Sequence, residues 1–315
     1  MITHDISNLI DALSHQVSFE QPYQDYYFKI KEKNLRVLEE FKRLLQCDND
    51  AICTVGSDAR LEKGYASKIE LIVLLNDCSN EKYYMDLVNT FSNVFHPAVE
   101  FKRIDQKSYL YMNDEHRVFP MRVIDLLFLN GNYDRFVLEK KKFFNELKEE
   151  YSKIKSKIKE KRGYVMRILE KGWANFKGEK ITHYNLKERT IFYDNNVRWG
   201  FKYGPLRSVQ YDIAYRLIKI LKSQDDANLL LALPTNTVDR LYFLGDLIYP
   251  YKDIEILADN YMYFLKEYHR IQKKYVNNFS KDEKGIVCMI YDQNTINEIS
   301  ERIRAMLSVL KHKSE

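Results

Sequence analysis

The sequence predicts an α+β fold. A pair of helices over residues 1–48 precedes a small α/β unit over residues 49–132, and an all-helical domain fills residues 133–315. Three observations carry this expectation. Short apolar runs bounded by turn residues lie between Ala51 and Leu129. Beyond Asp134 the apolar residues recur at helical spacing. Only 10 glycines and 6 prolines stand against 24 tyrosines and 17 phenylalanines, which favours long, aromatic-packed helices over a turn-rich β protein.

Taken in order, Ile6, Leu9, Ile10, Leu13 and Val17 give a first helix over residues 3–20, interrupted by Pro22. A second helix runs from Tyr23 to Leu45 with Tyr27, Ile30, Leu35, Leu38, Phe41 and Leu45 on its apolar side. Asp48-Asn-Asp50 signals a turn, and Ala51-Ile-Cys-Thr-Val55 is short, apolar and β-prone, as an interior strand would be. A Gly-Ser turn leads to a second strand, Ile69 to Leu75, which carries Glu70. Capping residues at 76–80 start a helix ended by His96-Pro97. Val99 to Ile104 alternates as a strand with one wet face, and Val118 to Leu129 reads as a further strand closed by Asn130-Gly131. Helical periodicity then covers Asp134 to Ile158, Tyr164 to Phe176, Leu206 to Leu221, Val238 to Ile248, Ile254 to Phe279 and Thr295 to Leu310.

Composition narrows the function classes. Fifty basic against 45 acidic residues leave a net charge of +5, too slight to indicate nucleic acid without clustering. The Lys153 to Arg162 run is interspersed with glutamate and lacks interleaved aromatic platforms, so a solvated helix face is the favoured reading and nucleic acid a disfavoured partner. No apolar run reaches membrane-spanning length, and the first residues lack a basic segment followed by an apolar core. Cys47, Cys53, Cys78 and Cys288 have neither paired nor metal-like spacing. The expectation is a cytoplasmic protein with free thiols and no membrane partner. His116, His183 and His269 lack ligand-like spacing, and Tyr211, Tyr215, Tyr242, Tyr261 and Tyr263 read as packing residues.

The chemistry concentrates between Thr54 and Leu75. A Gly-Ser turn after a buried strand frees backbone N–H groups and a hydroxyl for a phosphate, and glycine permits its close approach. Two carboxylates on neighbouring strands suit Mg²⁺ held against phosphate oxygens. Glu70 is one such acid, and Asp125, flanked by Val123, Ile124, Leu126 and Leu127, is the other. An acid in an apolar strand needs a cation, hydrogen bonds or water to compensate its burial.

Gly56-Ser57, Arg60, Glu62, Ser67 and Glu70 together resemble the Gly-Ser-x-x-Arg-x-Glu-x-x-x-x-Ser-Asp-x-Asp signature of the DNA polymerase β-like nucleotidyltransferase superfamily, in particular the branch containing PII-uridylyltransferases and glutamine synthetase adenylyltransferases. Lys202-Tyr-Gly-Pro-Leu-Arg-Ser-Val-Gln210 is similar to the Lys-x-Gly-Gly-Leu-Arg-Asp-Ile segment of the same branch. The resemblance covers residues 3–222. It implies a mixed sheet flanked by helices, followed by an all-α domain. It also implies transfer of a nucleoside monophosphate from an NTP donor to a hydroxyl, with Mg²⁺ or Mn²⁺ and a protein as one acceptor. Carried over, Gly56 and Ser57 hold phosphate, Arg60, Lys202 and Arg207 meet nucleotide, and Glu70 and Asp125 serve as metal ligands and catalytic acids.

The first acid of the signature is absent, and Lys68 stands in its place. Two roles stay open for it. As an ammonium beside Glu70 and Asp125 it would occupy the space of a metal, and the chain would be a non-catalytic descendant that binds a nucleotide or a partner. As a point charge on the triphosphate it would leave Glu70 and Asp125 to bind one metal. Arg60 with Glu62 also reads as a surface or hinge ion pair, Asp125 as a structural acid, and Lys202 with Arg207 as a bridge between domains.

Overall fold

Ala51-Ile-Cys-Thr54 is buried at every position, and the computed structural model makes it the interior strand that its run of apolar and β-prone residues requires. The structure describes residues 17–44, 49–64, 69–75, 82–83, 99–103, 119–174, 181–185, 190–192, 198–199, 201–278 and 286–311. The elements are α1 (Tyr23–Leu44), β1 (Ala51–Thr54), the one-turn α2 (Gly56–Ala59), β2 (Ile69–Leu74), β3 (Val99–Arg103), α3 (Phe119–Ile124), β4 (Leu127–Gly131), α4 (Tyr133–Glu149) and α5 (Tyr151–Ala174). Then come β5 (Ile181–Asn185), β6 (Thr190–Phe192), β7 (Arg198–Trp199), a π-helical turn (Lys202–Leu206), α6 (Arg207–Gln224), α7 (Ala227–Ala232), α8 (Thr237–Leu244), a 3₁₀ turn (Gly245–Leu247), α9 (Tyr251–Asn278), β8 (Ile286–Ile290) and α10 (Gln293–Lys311).

The chain is mostly helical and of α+β type. Among the described residues, the first sheet has the order β3-β2-β1-β4. β1 runs antiparallel to β2 and β4, and β2 runs parallel to β3, so the sheet is mixed. The pairing shifts register between Ile52 and Cys53, an irregularity in the β1–β4 ladder.

Two expectations are corrected. Val118 to Leu129 is not one strand. Phe119–Ile124 is a helix and only Leu127–Gly131 a strand, so Asp125 lies in the turn between them. Pro120 sits in the first turn of that helix, where its missing N–H costs nothing. The second half is not all helical either. A sheet of order β7-β6-β5-β8 joins segments about a hundred residues apart, pairing Ile181 with Ile290 and Asn185 with Ile286. The expected helix over 3–20 lies almost wholly outside the described residues, as do most of the expected helix over 80–97, Ser67, Lys68 and His116.

One buried cluster runs from Ala51, Cys53, Ile72 and Leu74 of the sheet through Phe143, Phe144 and Leu147 of α4 to Leu217, Leu257 and Phe264 of α6 and α9. It crosses the boundary that composition suggested at residue 132. In α5, Ile154 and Ile158 enter this core while Lys153 and Lys159 are exposed, as amphipathic spacing requires.

Candidate functional site

The loop after β1 is a shape that apolar packing alone does not produce. Gly56 has φ +67, open to glycine and strained for other residues, and there the chain turns from strand into α2. Leu61 also sits in the left-handed region, with φ 56, a costly position for a non-glycine residue. Side chains from three other segments hold the loop's carbonyls. Asn34 of α1 donates to Leu61 O at 3.0 Å and Lys63 O at 3.2 Å. Asn236, the N-cap of α8, donates to Arg60 O at 2.8 Å. His269 of α9 donates from Nε2 to Glu62 O at 3.1 Å, which leaves Nδ1 to accept the Tyr26 hydroxyl at 3.1 Å. Gly64 allows the close approach, because a Cβ there would stand 1.9 Å from Gln272 Oε1 and 2.5 Å from His269 Cδ2.

Beneath the loop lies a buried charge network. Arg60 donates to Glu62 Oε2 at 2.9 Å and to Asp125 Oδ2. Arg240 donates to Asp125 Oδ1 at 2.6 Å and to Ile124 O at 3.3 Å. Glu62 also accepts the Tyr261 hydroxyl at 2.7 Å and the Thr237 N–H at 3.1 Å. Arg60 is 4% exposed and Asp125 3%, so the pair is interior and not a surface bridge. Two guanidiniums against two carboxylates balance the formal charge, which is what makes their burial tolerable. Burial pushes the Asp125 carboxyl up, but Arg60 and Arg240 outweigh it and hold the acid below its ordinary value. Burial, reinforced by Arg240, pushes the neighbouring Lys140 ammonium down to about 7, and Lys140 donates to Ile124 O at 3.2 Å.

The structure brings the two family-like segments together. Arg207, at the start of α6, donates to Gln210 Oε1 at 3.2 Å, and Gln210 Nε2 stands 2.6 Å from the Tyr261 hydroxyl and 3.5 Å from Glu62. Arg207 acts electrostatically on Asp125, and Lys202 on His269. Gly56 and Ser57 are only half-buried.

Register fixes the rest of the site. Thr54 of β1 pairs with Leu71 of β2 and with Leu127 of β4, so the Gly56-Ser57 turn, Glu70 and Asp125 all gather at one end of the sheet. Glu70 pairs with Glu100 of β3. Asp125 adjoins β4, on the other flank of β1, and both of its oxygens are engaged by arginines.

Sequence reasoning did not single out Glu100, Asn236 or Arg240, read Tyr261 as packing and found no ligand-like spacing for His269. Arg240 had a usable signal, a cation placed one residue before Leu241 in an otherwise apolar helical stripe. Glu100 had a weaker one, an acid inside an alternating strand. No protein-family model matches the chain, and no curated protein matches it either.

Proposed function

We propose that this chain binds a nucleoside triphosphate at the Gly56-Ser57 turn and transfers its nucleoside monophosphate to a hydroxyl acceptor. The observation that carries the reading is the register pairing of Glu70 with Glu100 at the sheet end where that turn begins. It sets two acidic residues at matching positions on adjacent strands beside a glycine turn in a mixed sheet, residue types suited to phosphate with a hard cation. Glu70 and Glu100 are of the oxygen-donor type that Mg²⁺ takes. Asp125 does not fit the ion, since a metal would have to displace two guanidiniums from it. Bound Mg²⁺ would neutralise triphosphate charge.

The chain's own residues do the rest. Ser57 and the backbone of the turn meet phosphate, and the Arg60–Asp125–Arg240 clamp fixes the turn's shape without touching the nucleotide. In the transfer, the acceptor oxygen bonds to the α-phosphorus, the bond to the β-phosphate bridging oxygen breaks, and pyrophosphate leaves with that electron pair. The hydroxyl proton passes to a carboxylate of the pair.

A second reading is favoured by two observations: Lys68 stands where the signature has an acid, and Asp125 is spent on arginines. Here the site binds nucleotide or a partner without transfer. Labelled ATP, UTP, CTP and GTP, each with Mg²⁺ or Mn²⁺ and candidate acceptors, separate the two. Transfer that is lost in Glu70→Gln and Glu100→Gln while nucleotide binding persists supports the first reading. Binding without transfer in the natural protein supports the second, and no binding of any nucleotide overturns both.

A further inference from the structure

A different surface, formed where α1 crosses α8 and α9, has its own chemistry. Phe28 is 61% exposed, Tyr242 45% and Tyr251 61%. The rings of Tyr242 and Tyr251 are 6.2 Å apart and tilted 54°. Phe28 belongs to the same seam. On α1 it lies between Gln24, which donates to Asp259 at 3.2 Å, and Lys31, which pairs with Asp239, and these positions share one helix face. Tyr242 lies one turn beyond Asp239 and within electrostatic range of Glu255 and Asp259. Between residues 239 and 259 there are five acids, Asp239, Asp246, Asp253, Glu255 and Asp259, against Arg240 and Lys252, and Arg240 is buried on Asp125. In a chain of net charge +5, this stretch is locally anionic.

The adjoining wall already demonstrates the recognition mode. Arg302 of α10 lays its guanidinium 4.7 Å from the ring of Tyr23 and 4.2 Å from that of Tyr263, with Asp259 at 2.9 Å and Glu298 at 3.0 Å. Two aromatic faces and a carboxylate make a seat for a planar cation. Phe28, Tyr242, Tyr251 and Glu255 repeat the same components in the open, and among the described residues no arginine or lysine stacks on those three rings.

We propose that this seam is a docking site for an arginine-bearing peptide segment of a partner protein, its guanidinium set against Tyr242 and Tyr251 and paired with Glu255. Aromatic faces supply apolar area and cation affinity together, and the acidic surround selects positive over negative partners.

The probe is a fluorescein-labelled nonapeptide alternating arginine and leucine, with a glutamate-for-arginine counterpart, read by fluorescence anisotropy against the full chain. The expected result is saturable binding of the arginine peptide alone. Affinity falls about tenfold or more in the Tyr242→Ala/Tyr251→Ala double variant and in Glu255→Lys. Lys159→Glu, on α5, leaves it unchanged. All of these are surface positions, and circular dichroism and urea midpoints equal to those of the natural chain verify folding. Equal binding of both peptides, binding that survives in the seam variants, or none at all overturns the proposal. Concentration-dependent self-association that the same variants abolish would also overturn it, replacing the peptide with a second copy of this chain.

Discussion

Tyr261 of α9 places its hydroxyl 2.7 Å from the carboxylate of Glu62, and this contact ties the helical half to the loop that follows β1. The same hydroxyl lies 2.6 Å from Gln210 Nε2 and 3.1 Å from Thr237 Oγ1, so three helices close on one buried acid. Tyr261→Phe keeps the ring and removes the donor. It is expected to cost about 1–3 kcal/mol in urea unfolding, the range for stranding a buried charged acceptor. A change within about 0.5 kcal/mol would mean that Arg60 and the Thr237 N–H hold Glu62 without the tyrosine.

Asp125 sits between two guanidiniums. Asp125→Ala leaves Arg60 and Arg240 with only Glu62 to oppose them in the interior and is expected to destabilise by about 3–5 kcal/mol, the usual penalty for half of a buried ion pair. Adding Arg240→Met to that background removes one of the stranded charges and is expected to recover part of the loss. Equilibrium denaturation of the single and double variants checks both statements.

Gly64 is held by space, not by its backbone angles. Gly64→Ala would drive a methyl into Gln272 and the ring of His269, and is expected to cost about 1–3 kcal/mol as an overpacked site. Gln272→Ala removes the nearer obstacle, so the double variant is expected to be less unstable than the sum of the two singles, as a double-mutant cycle would show.

Buried titratable groups give stability a defined pH dependence. Burial pushes His269 down to about 3 from an ordinary 6.5. Between those values the unfolded chain binds the extra proton, so stability falls as pH drops through that window. Asp125, held below its ordinary value, adds to the loss at the acid end, where protonation breaks its pairing. For Lys140, pushed by burial and Arg240 to about 7 from 10.5, the unfolded chain binds more protons across that interval, and stability rises with pH there. His269→Gln is expected to flatten the acid limb and Lys140→Met the alkaline rise, each by at most about 1.4 kcal/mol per pH unit. Urea midpoints from pH 3 to 10 measure both.

The local elements were legible because their causes are local. Tyr27, Ile30, Leu38 and Phe41 of the expected stripe are buried on α1, while Leu35 is exposed, and β1, β2 and β3 fall where apolar runs meet turn residues. The segment before Asp125 was misread because Val123, Ile124 and Leu126 favour a strand taken alone, while in the fold Val123 and Ile124 are buried on α3 and Leu126 in the turn that follows it. The strands β5 to β8 escaped notice because each is too short for a periodicity to identify it, and the pairing of β5 with β8 spans about a hundred residues.

The sequence by itself determined α1, α6 and α8 to α10, the strands β1 to β3, the Gly56-Ser57 turn and the acids available to it, because periodicity, turn chemistry and composition act over a few residues. Tertiary structure alone decided which charges meet. It put Arg240 on Asp125 and Tyr261 on Glu62, and set Glu100 at the register position of Glu70, since pairing depends on which segments are packed together and no local pattern records that.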